Sequence, residues 1–271
     1  MAYIKEYWDD KGKRAEQAKR HTEEMKERFG NDLIPYSVKR TKVYDTDFTC
    51  QRTCPAKEAQ IIVEDIDTVS AGLKYSGNGR TGMLNFASYK NPGGMFLSGS
   101  RAQEECLCHA SFLYNVLSTQ KEYYAWNNQH KNRALYLNRG LYSPNIRFES
   151  NGQVYFADII TCAAPNLSAA RKYQHITDME NSRVLYDRIR FVLDVAKDNA
   201  VETLILGGFG CGVFGQDATE VAKAFKTLLS TSHRCFQTVV FGIPQGRDGN
   251  LAKFQNVFCG CGALPHTPQG A

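Results

Sequence analysis

Two glycine-rich stretches hold the residues of this chain whose types and spacing suit chemistry. The first runs Leu84-Asn85-Phe86-Ala87-Ser88-Tyr89-Lys90-Asn91-Pro92-Gly93-Gly94-Met95 and continues through Arg101 and Ala102 to Gln103-Glu104-Glu105. Asn-Pro-Gly-Gly can extend neither a strand nor a helix, and its bare backbone lets the amides of Gly93 and Gly94 approach an anionic group. Glu104 and Glu105 then fall in the first turn of a helix, where the dipole favours a carboxylate by about 0.3–1 kcal/mol. The second stretch, Gly207-Gly208-Phe209-Gly210-Cys211-Gly212-Val213-Phe214-Gly215-Gln216-Asp217, packs five glycines into nine residues after an apolar strand. Such a cradle presents N–H groups at a helix N-terminus, an arrangement that binds phosphate. Two such loops predict one ligand with linked phosphates clasped from both sides, a dinucleotide-like diphosphate with a sugar at either end. Gly210, Gly212 and Gly215 also satisfy the G-x-G-x-x-G spacing of dinucleotide-binding folds. A nicotinamide dehydrogenase fits poorly, because Thr231 to Gln237 holds no acidic residue for a ribose and too little chain follows for a second half-fold.

The elements that must position these loops alternate along the chain. Apolar runs predict strands at Gln60–Val63, Gly82–Ala87, Ala134–Leu141, Val154–Thr161, Thr203–Leu206 and Gln237–Gly242. Cys106, Ala110, Leu113 and Leu117 recur at four, three and four, which predicts a helix directly after the two glutamates. Thr177 with Glu180 is a capping-box pattern, and Leu185, Ile189, Val192 and Ala196 continue that helix. Asp217 with Glu220 opens another, with Val221, Phe225 and Leu228 on one face. The segment Lys11 to Arg28 reads as a polar, loosely docked helix ending near Gly30. Strands separated by amphipathic helices predict a three-layer α/β domain, a mixed sheet flanked by helices. The expected division is a helical leader over 1–59, a core over 60–258 and a mobile tail over 259–271.

Composition excludes several classes. With 271 residues, 42% apolar and 23% charged, the chain buries about 70–75% of its unfolded surface and is neither disordered nor collagenous. No apolar run approaches the roughly 20 residues that cross a bilayer, so no membrane partner and no secretory leader are expected. Nine cysteines, an odd number among apolar neighbours, suit reduced thiols in a cytoplasmic protein. The net charge of +5 suits an anionic ligand without identifying one. The cysteine spacings at Cys50 and Cys54, Cys106 and Cys108, and Cys259 and Cys261 lack the repeated knuckle of a zinc site. Cys211 has no adjacent base to make it a nucleophile. Tyr123, Tyr124 and Trp126 are candidates for an aromatic wall under adenine, although such clusters are more often core. Glu64, Asp65 and Asp67 follow a strand where a contact to adenine could sit.

Asn85 to Glu105 resembles the signature of the bacterial-type poly(ADP-ribose) glycohydrolases, a catalytic branch of the macrodomains, in which a triple-glycine loop precedes Gln-Glu-Glu. Gly207 to Asp217 is similar to that family's second phosphate loop. Leu141-Tyr142-Ser143-Pro144 and Asp158 to Asn166 match as well, so the likeness spans Gln60 to Gly242 in order. One departure is Met95, which stands where the family has its third glycine; a side chain there narrows the approach to the phosphates or demands a different φ.

The resemblance implies a macrodomain-like enzyme that hydrolyses ribose–ribose bonds of poly(ADP-ribose) and releases ADP-ribose, with no metal or organic cofactor. It implies Glu105 as the acid/base and Glu104 as the holder of ribose hydroxyls, with Gln103 supporting the turn. Gly93 and Gly94 would line the diphosphate with Gly208, Gly210, Cys211, Gly212 and Val213, and Phe214 would pack against the distal ribose. Either Asn85 or Asn91 would orient that ribose. The chemistry itself requires a proton for the leaving oxygen as an oxocarbenium-like state forms at the anomeric carbon. The expected partner is an ADP-ribose polymer or an ADP-ribosylated protein, with nucleic acid only as an ADP-ribosylated substrate, and the protein is expected to act as a monomer. Two alternatives are an ADP-ribose-binding module without turnover and a hydrolase of single ADP-ribose units.

Overall fold

Period-two alternation sets the centre of the sheet, because Met83, Ile159, Ile205 and Val240 face one side while Leu84, Ile160, Leu204, Leu206, Val239 and Phe241 face the other. In the computed structural model of the chain, which describes residues 10–77 and 79–259, these residues belong to one mixed sheet of seven strands. The strands are β1 (Lys42–Tyr44), β2 (Gln60–Glu64), β3 (Thr81–Phe86), β4 (Gly140–Ser150), β5 (Gln153–Cys162), β6 (Thr203–Leu206) and β7 (Thr238–Gly242). Their order is β1-β4-β5-β3-β6-β7-β2. The two pairs β1–β4 and β4–β5 are antiparallel, and the rest are parallel.

Ten α-helices cover both faces: α1 (Lys11–Phe29), α2 (Leu33–Arg40), α3 (Thr68–Tyr75), α4 (Gln103–His109), α5 (Leu113–Leu117), α6 (Lys121–Gln129), α7 (Leu167–Gln174), α8 (Asp178–Asp198), α9 (Ala218–Ser230) and α10 (Asn250–Cys259) are those among the described residues. Helices α8, α9 and α10 bury Ile189, Phe225 and Phe254 against one face. Helices α1 to α6 bury Ala18, Ala71, Leu107, Leu113 and Tyr123 against the other. The three-layer α/β architecture expected from the pattern is therefore present. Thr177 caps α8 by accepting from the Glu180 N–H, and Asp217 caps α9 by accepting from Thr219 and Glu220, both as the residue types predict. Helix α1 is more firmly seated than its polarity suggests. Ala18 and Met25 lie in the core, and buried Arg14 donates from Nε to the Gly99 carbonyl at 2.6 Å.

Two expectations are corrected. No strand occupies Ala134 to Arg139: Asn132, Arg133, Ala134 and Tyr136 all have left-handed φ between 42° and 65°, which no strand tolerates. The strand begins at Gly140 and runs on through Pro144, where the register with β5 shifts between Ser143 and Ile146, so the proline sits at a bulge. The helix expected through Cys106, Ala110, Leu113 and Leu117 is broken after His109 into α4 and α5. The Ala110 carbonyl there accepts from the Glu149 N–H at 2.8 Å, and Ser111 bridges to Phe148. Pairing with β4 interrupts the helix. Most of the expected C-terminal tail, including Cys261, lies outside the described residues.

Candidate active site

Strands β3 and β6 are parallel neighbours at the middle of the sheet, and both glycine loops leave from their C-terminal ends. The chain reaches β5 on one side of β3 and then β6 on the other, so the crevice beyond them lies where the winding reverses, the usual place for a ligand in an open α/β sheet.

Gln103 locks α4 onto that edge. Its Oε1 accepts from the Phe86 N–H at 2.8 Å, and its Nε2 donates to the Leu84 carbonyl at 2.8 Å and to Thr68 Oγ1 at 3.2 Å. The next two residues are consequently driven inward, and both glutamates are buried, at 3% and 5% exposure. Glu105 is fixed at both oxygens. Oε2 accepts from the Ala102 N–H at 2.9 Å, which caps its own helix, while Oε1 accepts from the Met95 N–H at 2.8 Å. Two of roughly four acceptor positions on that carboxyl are thereby used. Glu104 accepts from the Ser88 N–H at 2.6 Å and from Asn85 Nδ2 at 3.2 Å. Burial pushes the Glu104 carboxyl up to about 8, against the opposing pull of the Ser88 and Asn85 donors.

The first loop wraps this pair closely. A Cβ on Gly94 would lie 2.5 Å from Glu105 Oε1 and 3.0 Å from Glu104 Oε2, and φ there is +63°. Only glycine fits. The Gly94 N–H donates to the Asn91 carbonyl at 3.1 Å, and the Gly93 N–H is directed at Glu104. The amides of this loop are therefore engaged in holding the loop and the acids. Met95 has φ −110° and ψ 32°, an ordinary conformation for a residue with a side chain, and that side chain is half exposed. The departure from a third glycine distorts nothing in the backbone.

The second loop is complementary. Phe209, Cys211, Gly215 and Gln216 donate their N–H groups to carbonyls of the loop itself. Among the described residues, the N–H groups of Gly208, Gly210, Gly212, Val213 and Phe214 have no acceptor within the protein. Since the carboxylate of Asp217 takes the first N–H groups of α9, the loop amides rather than the helix terminus are the anion donors on offer. Val213 is 87% exposed and Phe214 packs edge-on against Tyr136, centroids 6.2 Å apart. Tyr136 in turn stacks on Tyr89 of the first loop at 4.2 Å. Burial pushes the Cys211 thiol up to about 12, which keeps it in the thiol form at neutral pH.

Asn85 and Asn91 part company in the structure. Asn85 is buried against Glu104 and Thr161, and its Oδ1 has no partner among the described residues, whereas Asn91 is exposed on the loop. A cavity of about 350 Å³ opens against the Gln103 and Cys106 side of α4, lined also by Asp67, Phe86, Gly208, Ile243 and Asn250 among others. Cys106 and Asn250 had drawn no ligand role from the sequence. The acids at the end of β2 all have protein partners: Glu64 binds Lys74 and Tyr75, Asp65 accepts from the Gln245 N–H, and Asp67 caps α3. Tyr123 and Tyr124 are core residues, and Trp126 stacks on His130 beneath Arg139, so the cluster forms no wall of this cavity. Among the described residues no group of three or more His, Cys, Asp or Glu is placed to hold a metal, and no helix is long and apolar enough to cross a membrane.

Residues 13–149 match the family described as microbial-type PARG, catalytic domain. The chain belongs to this family. Its structure is similar to that of poly(ADP-ribose) glycohydrolase (PARG) from Thermomonospora curvata, with 29% identity, a TM-score of 0.81 and coverage of 90% of this chain and 99% of that one. The same enzyme bound to the inhibitor ADP-HPD matches with 29% identity and a TM-score of 0.77, over 90% and 99% of the two chains. The Deinococcus radiodurans enzyme in complex with ADP-ribose matches with 30% identity and a TM-score of 0.74, over 83% of this chain and 96% of that one. No curated protein matches the chain. The mixed sheet flanked by helices is thus the macrodomain-like fold of microbial PARG domains.

Proposed function

We propose that this protein hydrolyses the ribose–ribose glycosidic bonds of poly(ADP-ribose), with Glu105 as the general acid and base. The observation that carries the reading is the juxtaposition of two buried, rigidly held carboxyls with a facing loop that offers free amides. Those amides, from Gly208 to Phe214, suit the diphosphate, and the 350 Å³ cavity is of a size for the adenosine. The polar side chains its lining offers to the base include Asp67, Thr68 and Asn250. The distal ribose lies in this reading over Glu104 and Asn85, where a hydroxyl would satisfy the orphaned Asn85 Oδ1. Phe214, braced by Tyr136, packs against the sugar.

Glu105 delivers its proton to the leaving oxygen as the C1–O bond breaks, then accepts one from the attacking water. A diphosphate bound nearby adds negative charge, which stabilises the cationic sugar as the bond breaks. Gly94 and the Met95 N–H fix the carboxyl's position, and positioning of this kind is worth several kcal/mol of barrier. The same reading takes the protein as a monomer in the cytoplasm.

The test is Glu105→Gln assayed on labelled polymer and on mono-ADP-ribosylated protein, with calorimetry on free ADP-ribose. Retained affinity with release from polymer abolished supports the assignment. Unchanged release in the variant refutes the role of Glu105, and affinity without turnover in the unaltered protein supports a binding module instead.

A further inference from the structure

A groove of about 380 Å³ lies between α9 and α10, outside the site described above, lined by Thr219, Lys223, Lys226, Lys253, Asn256 and Val257. Thr219, Lys223 and Lys226 follow one another at four and three, so they form one stripe on α9, and α10 supplies the opposite wall. Three lysines contribute to its lining, and no carboxylate-bearing residue does. The lysines differ in their engagement. Lys226 Nζ donates to the Val257 carbonyl at 2.6 Å and braces the two helices. Half-buried Lys253 stands 3.4 Å from Asp217 Oδ2, while the other oxygen of Asp217 caps α9. Lys223 is exposed and has no partner among the described residues. Asp248, at the start of α10, is held by Asn250. The groove therefore keeps a positive excess even after Asp217 is counted.

Helix α10 joins this groove to the cavity of the candidate active site. Asp248 and Asn250 line the cavity, and Lys253, less than a turn further along the helix and about 5 Å up its axis, lines the groove. We infer that the α9–α10 groove is a second anion subsite, which takes a diphosphate from another unit of the same poly(ADP-ribose) chain whose one unit occupies the crevice. This inference rests on the polymer reading above and sharpens it, since a single ADP-ribose unit carries one diphosphate, which that reading already places against the second loop. The chemistry is that of exposed lysines with a flexible polyanion: each phosphate contact displaces counterions, so binding weakens with added salt in proportion to the contacts made.

The experiment compares the full-length protein with Lys223→Ala/Lys253→Ala and with Lys223→Glu, leaving Lys226 in place because it braces the helices. KM is measured for long and for very short poly(ADP-ribose) across a salt series, beside the affinity for free ADP-ribose. The expected result is a several-fold rise in KM for long chains alone, with the log–log salt slope reduced by about 0.7 for each lysine removed. The kcat and the affinity for free ADP-ribose stay at their original values. An unchanged KM for long chains overturns the inference, as does an equal rise for short ones. A single-stranded RNA that competes as well as polymer, and loses that ability with the same substitutions, identifies a general polyanion surface and also overturns it. Should the unaltered protein bind no ADP-ribose, the functional reading itself fails before any lysine is changed.

Discussion

Replacing Glu104 by Gln should change how stability depends on pH, and the size of the change follows from its burial. The folded protein holds this proton up to about pH 8, whereas an unfolded chain releases it near 4.5. Between those values the unfolded state binds fewer protons than the folded state, so the stability contributed by this group falls as pH rises and levels off above 8. At 1.36 kcal/mol for each tenfold change, holding the proton from 4.5 to about 8 amounts to about 5 kcal/mol. The wild-type curve alone would not isolate this, because burial lowers His109 to about 4 and gives a slope of opposite sign between about pH 4 and 6.5. The difference between variant and wild type cancels His109. Glutamine can accept from the Ser88 N–H with its oxygen and turn its amide toward Asn85, whose unpartnered Oδ1 becomes the acceptor after a flip of that side chain. The offset from lost hydrogen bonds is therefore small and independent of pH. Urea unfolding from pH 5 to 9 should show Glu104→Gln gaining on wild type by several kcal/mol up to about pH 8 and no further. A difference that stays flat within about 1 kcal/mol across that range would show that Glu104 is ionised in the folded protein, and the reasoning from burial would be wrong.

Three further substitutions probe the frame around the acids. Gly94→Ala places a Cβ 2.5 Å from Glu105 Oε1 at a left-handed φ, and the displaced carboxyl should lower kcat by about 100-fold in a polymer-release assay while ADP-ribose affinity changes little. Met95→Gly should leave that affinity unaltered in calorimetry, because φ is already ordinary at this position, and should cost only about 0.5–1 kcal/mol of stability through added backbone freedom. Arg188 is fully buried and donates to the Asn138 side chain and to the Ala163 and Leu135 carbonyls. Arg188→Met should cost about 3 kcal/mol in urea unfolding and raise KM more than it lowers kcat, with Arg188→Lys recovering part of the loss.

What could be read from the amino-acid order was whatever lay close together along it. The run from β3 through Gly93 and Gly94 to the glutamates is contiguous, and Gln103-Glu104-Glu105 had to open a helix, so the placement of the acids followed from local pattern. The caps at Thr177 and Asp217 were legible for the same reason. The break between α4 and α5 was not, since the four-three-four spacing continues through it and only the distant Glu149 N–H, by claiming the Ala110 carbonyl, ends the helix. Strand β4 was misplaced because the apolar run ends at Leu141, while pairing with β5 carries the strand on past Pro144 through a register shift that only the neighbouring strand reveals. The left-handed residues Asn132, Arg133, Ala134 and Tyr136 were equally hidden. Three of those residues are not the usual formers of such turns, and it is Arg188, about fifty residues away, that fixes the Leu135 carbonyl.

That left-handed segment ties together two loops that leave different strands. Tyr136 lies against Tyr89 of the first loop and Phe214 of the second, so the two share a support that neither strand provides. Such a left-handed stretch persists only where its surroundings determine it, and here a buried guanidinium and the Asn166 N–H, bonded to the Ala134 carbonyl, do so. In the proposed reaction the loops divide the work. The first has its amides and glycines committed to holding two carboxyls, which is a demand for rigidity. The second leaves five amides open, which is a demand for charge. Damage to the first should appear in the chemical step and damage to the second in binding, because a carboxyl moved by an ångström loses its alignment with the bond, whereas an amide lost from a cradle of five weakens the grip on a diphosphate and leaves the acid where it was.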